Sequence, residues 1–191
     1  AHISARLCRF LRDEVTEQLA LGSEALTALA TDWRKLLFPD ATDERFADGY
    51  AQAVTFGLLM ARAKEIPLSR GLGPVAAELA KSNSLIGAAL RLLTDNAENQ
   101  ATLKTSLGTL TRVLDTVDWR EITKKKKTGD KMEKPPEPWL YFYEDFLEIY
   151  DQDLRKQTGS YYTTPEVGSA RVRLVDDVLR TDRVRLHAGL A

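Results

Sequence analysis

Apolar residues return at intervals of three and four along almost the whole of this chain, and nowhere do they alternate over a strand's length between turn signals. That spacing matches the 3.6-residue turn of an α-helix and argues against a half-buried sheet. The expected fold is therefore all-α, an irregular helical bundle with essentially no sheet. Ile3, Leu7, Phe10, Leu11, Val15 and Leu19 mark a first helical face that ends near Gly22. Ser23 is placed to cap a second helix, with Leu26, Leu29, Trp33, Leu36 and Leu37 as its stripe. The "FPDAT" stretch breaks that helix, because Pro39 has no N–H to donate and Asp40 and Thr42 suit a turn and a cap.

A third helix carries Phe46, Tyr50, Val54, Leu58 and Ala61, and small residues such as Gly49, Ala53 and Gly57 leave room for close neighbours. "EIPLSRGLGP" reads as a loop, with Pro74 suited to the first turn of a short helix. "SLIGAALRLL" is apolar enough to expect in the middle of a bundle. Leu103, Leu107, Leu110, Leu114 and Val117 define a further helix. Composition then shifts. "WREITKKKKTGDKMEKPPEP" holds four consecutive lysines, a Gly-Asp pair and three prolines, with little to bury. The chain divides on this reading into a bundle (1–118), a basic, Pro-rich linker or mobile loop (119–138), and a C-terminal part (139–191). That last part comprises an aromatic helix, a turn, a final helix and a basic tail.

Charge and cysteine content narrow the function classes. With 27 basic and 28 acidic residues the formal net charge is −1, so no global field draws the molecule to nucleic acid or membrane. Cys8 is the sole cysteine, which rules out an intrachain disulfide and is most simply read as a small buried hydrophobe in a reducing cytoplasm. No apolar run approaches the roughly 18 residues of a membrane span. His2 and His187 stand at opposite ends, away from any Cys or carboxylate cluster, so no metal site is expected.

Gly71-Leu72-Gly73 lacks the hydrophobic strand that a phosphate-cradling turn requires and reads as an ordinary loop. "KPPEPW" only superficially resembles an amino-methyltransferase loop, since Lys134 and Glu137 occupy the places where the amine acceptor and the stacking aromatic belong. Glu144, Asp145, Glu148, Asp151 and Asp153 read as a solvated acidic face. Lys124, Lys125, Lys126 and Lys127 are the candidate phosphate contacts, although a solvated linker is the better explanation of them. Arg171, Arg173, Arg180, Arg183 and Arg185 are interleaved with Asp176, Asp177 and Asp182, as helix-surface pairs would be.

Two blocks carry a more specific signal. "FYEDFLEIYDQDLRKQTGSYYTTPEV" resembles the segment just before the catalytic domain in adenine-specific DNA methyltransferases of single-chain restriction-modification enzymes of the ISP type. The matching positions are Phe142-Tyr143-Glu144, Phe146-Leu147, Tyr150-Asp151, Leu154-Arg155-Lys156, Gly159, Tyr161, Tyr162 and Thr163. Upstream, "RFADGYAQAVTFGLLMAR" is similar to a helix that these proteins carry ahead of the methyltransferase core, through Phe46, Ala47, Ala51, Gln52, Gly57, Leu58, Ala61 and Arg62.

The resemblance implies that the Tyr-Tyr-Thr turn is motif X, which borders the S-adenosylmethionine pocket. Thr163 would face the cofactor, and Tyr162 and Pro165 would shape the turn. A hydroxyl and free backbone groups ahead of a helix N-terminus suit a carboxylate. Thr164 departs from the family pattern, in which proline directly follows the threonine. The strand with its Gly-x-Gly turn and the Asn/Asp-Pro-Pro-aromatic loop are both missing. The chain is therefore expected to be a piece of a longer protein, ending before the catalytic domain and inactive alone.

As the resemblance has it, the piece is a helical coupler between an upstream nuclease or helicase module and a catalytic domain that methylates adenine in DNA. Two other readings stay open. One is a helical protein-interaction module with apolar grooves. The other is a direct duplex clamp built from the lysine run and the C-terminal arginines.

Overall fold

The computed structural model describes residues 1–36, 38–96, 101–117, 126–128, 131–133, 138–151 and 165–180. The helices in chain order are α1 (His2–Ala20), α2 (Glu24–Leu36), α3 (Asp43–Ala63), α4 (Leu72–Ser82), α5 (Ser84–Thr94), α6 (Lys104–Asp115), α7 (Pro138–Tyr150) and α8 (Pro165–Arg180). A 3₁₀ turn, Leu68–Arg70, precedes α4, and a short antiparallel hairpin pairs β1 (Lys126–Thr128) with β2 (Lys131–Glu133). The all-α expectation holds. The hairpin is the one departure from it among the described residues, and it falls inside the lysine-rich stretch.

Local signals act where the sequence puts them. Gly22 takes φ +79°, and the N–H groups of Gly22 and Ser23 donate to the carbonyls of Leu19 and Gln18. These paired bonds close α1 with the αL cap that glycine favours. Thr42 caps α3, its hydroxyl accepting from the Arg45 N–H at 3.3 Å. The break between α2 and α3 is tied by Arg34, which donates to the Ala41 carbonyl at 2.7 Å and pairs with Asp43.

α3 is the hub, packing against α1, α2, α4, α5 and α6. Phe46, Ala47, Ala51, Val54 and Leu58 are fully buried on it, and the Tyr50 hydroxyl donates to the Leu93 carbonyl at 3.0 Å. Its small residues serve close packing: a Cβ on Gly57 would lie 3.2 Å from Leu90, and one on Gly49 would lie 3.2 Å from Trp33.

Three expectations need correction. The buried stripe of α1 is Ala5, Cys8, Leu11, Val15 and Leu19, while Ile3 and Phe10 are exposed. The apolar arc is centred on Cys8, Leu11 and Val15, and the other two project from nearly the opposite side of the helix. Gly71-Leu72-Gly73 is more than a loop. Gly71 takes φ +90° after the 3₁₀ turn, and Leu72 and Gly73 open α4. Finally, α5 is peripheral rather than central: Gly87, Leu90 and Leu93 are buried, but Leu85 and Leu92 face solvent.

Candidate functional site

The site begins where α7 docks. Its aromatic positions fall at helical spacing, so Phe142, Phe146, Leu147 and Tyr150 share one buried face. The receiving surface comes from α1 and α3. Phe56 of α3 meets the rings of Tyr143 and Phe146 edge-on, at centroid separations of 5.4 and 4.9 Å. Phe146 in turn stacks on Tyr150 at 5.2 Å. Edge-on and offset-stacked pairs are the geometries the ring quadrupoles prefer. The Phe142–Tyr150 and Arg45–Arg62 stretches therefore touch in space.

Polar contacts fix the end of the helix. The Tyr150 hydroxyl donates to the Asp48 carboxylate, whose other oxygen accepts from the Gln52 amide at 2.9 Å. A hydroxyl bonded to an ionised carboxylate is among the stronger neutral–charged contacts. Arg12 lies over the Tyr150 ring, 5.4 Å from its centroid, and Arg9 donates to the Tyr150 carbonyl at 2.8 Å and to that of Ile149. A cation on the last carbonyls of α7 satisfies acceptors the helix leaves open and complements its dipole. Burial, then the neighbouring Cys8 and Asp48, push the Tyr150 phenol well above its ordinary range, so it stays a donor at neutral pH.

Cys8 sits behind this contact, fully buried. Burial pushes its thiol up to about 12, and the Thr55 and Tyr150 hydroxyls offset only part of that. In an unfolded chain the thiol ionises near 8.5. Below that pH both states hold the proton and stability is at its full value. Above it the unfolded chain loses a proton that the folded chain keeps, and stability falls until the pH nears the folded value. Urea denaturation is expected to show a loss of about 1 kcal/mol between pH 8.5 and 9.5. Cys8→Ala should abolish that slope; an identical slope in the variant would mean that another group carries it.

Most of the singled-out positions between Phe46 and Arg62 are structural. Phe46, Ala47, Ala51, Leu58 and Ala61 are core residues, Gln52 holds Asp48, and Arg62 lies 3.8 Å from Asp115. Sequence reasoning missed Arg9, Arg12 and Asp48. None is distinguished locally, and their role appears only when α7 arrives, 102 positions from Asp48 and 141 from Arg9. On the presumed acidic face, Asp145 and Glu148 are indeed exposed, whereas Asp151 borders a polar cleft of about 510 Å³ together with Arg12, Arg45 and Asp48. A second cleft, of about 550 Å³, is lined by Leu68, Leu72 and Leu107 with Lys104, Arg112 and Thr111 at its edges.

Tyr162 and Thr163 lie outside the described residues, as do Lys124 and Lys125. Pro165 is the first residue of α8, a position proline favours because its missing N–H would have no helical partner there. Lys126 and Lys127 lie in β1, where the register sets Lys126 opposite Glu133 and Lys127 opposite Met132. Arg180 pairs with Asp176 at 2.8 Å along α8. Among the described residues no group of three His, Cys, Asp or Glu could hold a metal ion, and no helix is long and apolar enough to cross a membrane.

Compared with family models, curated proteins and solved structures, the chain matches none.

Proposed function

We propose that this chain is the helical coupler of a DNA adenine methyltransferase or restriction-modification protein, joined in the longer polypeptide to an S-adenosylmethionine-dependent catalytic domain. One observation carries the reading. The described parts of the two blocks that resemble that family touch, through Phe56 with Phe146 and Asp48 with Tyr150, while α1 supplies most of the surface on which α7 lies.

A coupler must hold the chain firmly at the point where it leaves for the next domain. Helix α7 meets that need, with aromatic burial along its length and Arg9 on its terminal carbonyls. The bundle then serves as a spacer that positions an upstream nuclease or helicase module and the catalytic domain along DNA. Tyr162, Thr163 and Pro165 are the residues of this chain that border the cofactor pocket in the whole protein. The reaction of the whole protein is methyl transfer to the exocyclic amine of an adenine flipped out of the duplex. The lysines from Lys124 to Lys127 add nonspecific phosphate contact at most.

The test uses the chain extended by its downstream coding sequence. Thr163→Ala is expected to weaken S-adenosylmethionine binding about tenfold, the size of one hydrogen bond to a charged group, while leaving the melting temperature in place. Calorimetry giving the same affinity for both proteins would overturn the assignment. So would a downstream sequence without a Gly-x-Gly turn and an Asn/Asp-Pro-Pro-aromatic loop.

A further inference from the structure

Helix α5, "SLIGAALRLLT", has a single charged residue, Arg91. A helix apolar on every side belongs in an interior. Among the described residues only one side is covered, by α3 and α4. On the other, Leu85 is 79% exposed and Leu92 66% exposed, with Ala88 and Ala89 exposed between them. These four residues stand at i, i+3, i+4 and i+7, so they form one continuous stripe.

The stripe has a further property that points to its occupant. It runs large, small, small, large, and reads the same from either end. Two copies laid antiparallel about a two-fold axis would set Leu85 of each against Leu92 of the other. Ala88 would meet Ala89 at the crossing, where small side chains let the backbones approach. Such self-complementarity is what an isologous contact requires. The ends agree as well. Lys81, in the last turn of α4, lies close in sequence to the start of α5, and Asp95 directly follows its end, both exposed. An antiparallel pair brings each lysine toward the other copy's aspartate, whereas a parallel pair would set like charges together. The present partners of these side chains, Glu78 for Lys81 and Arg91 for Asp95, are exposed local pairs worth a few tenths of a kcal/mol and readily exchanged.

We propose that the chain self-associates through α5, as an antiparallel two-fold pair with Leu85 against Leu92 and the alanines at the crossing. This surface lies apart from the α7 contact and does not depend on any role in methylation. Four side chains cover much less than the roughly 800 Å² per partner of a standard interface, so the pairing is weak and depends on concentration.

Sedimentation of the full chain over a concentration series is expected to show mass rising toward a dimer. Leu92→Glu, at an exposed position that leaves the fold and melting temperature alone, should hold it at the monomer. Register is tested by cross-linking. A mixture of Leu85→Cys chains and Leu92→Cys chains, mildly oxidised, should form disulfides several-fold faster than either variant alone, with the buried Cys8 staying out of the reaction. A wild-type chain that remains monomeric at the highest concentration overturns the proposal. Unchanged association of Leu92→Glu does so too, as does Leu85→Cys linking to itself as fast as the mixture. Each of those results would leave the stripe to a different partner or to another segment of the chain.

Discussion

Replacing Phe146 by alanine is expected to lower stability by about 3–5 kcal/mol, which for a chain of this size moves the melting temperature by roughly 10 °C. Phe146 is fully buried and lies at the centre of the ring cluster, between Phe56 and Tyr150. Removing it takes away the apolar area and leaves a cavity that its rigid aromatic neighbours cannot fill. It also frees the Tyr150 ring, on which the bond to Asp48 depends. Phe146→Leu keeps most of the volume and should cost no more than about 1.5 kcal/mol. Hydrogen exchange in Phe146→Ala should quicken first in residues 146–150, because Arg9 holds the end of α7 only while the ring face stays seated. A melting temperature within two degrees of wild type, roughly 1 kcal/mol or less, would mean that α7 is not anchored by this face.

Gly87→Ala is the second large effect. Alanine is normally the better helix former by about 1 kcal/mol. At this position a Cβ would lie 2.4 Å from the Ala80 nitrogen and 2.5 Å from its Cα, in the backbone of the facing helix. Backbone cannot rotate away as a side-chain tip can, so α4 and α5 must separate. Overpacking of that kind costs about 1–3 kcal/mol, which outweighs the propensity gain. Gly108→Ala in α6 is the control. A Cβ there meets nothing within 4 Å, and the substitution should stabilise by about 0.5–1 kcal/mol. Chemical denaturation of both variants decides the matter: shifts of opposite sign support the close α4–α5 approach, and a stabilised Gly87→Ala refutes it.

Much of the fold was legible because the signals involved act over a few residues. Gly22, Thr42 and Pro165 punctuate helices through their own backbone chemistry, and each stands where it should. The small residues of α3 pointed to close neighbours, and Trp33 and Leu90 are those neighbours. The candidate site was less legible. Its aromatic half stood out at Phe142 to Tyr150, but its polar half, Arg9, Arg12 and Asp48, looks like ordinary helix surface until α7 covers it. The outward stripe of α5 was misjudged for a related reason. Apolar composition measures how much surface needs cover and does not say which molecule supplies it.

By itself the sequence determined the helical class, the helix limits at Gly22, Thr42 and Pro165 and many of the buried positions, because periodicity and capping are properties of a chain segment and its nearest neighbours. Only the tertiary structure decided that α3 is the hub, that Tyr150 meets Asp48 across 102 positions, and that α5 keeps an uncovered face. Those outcomes depend on which surfaces fit each other after the helices have formed, and shape complementarity between distant segments leaves no periodic trace in either one.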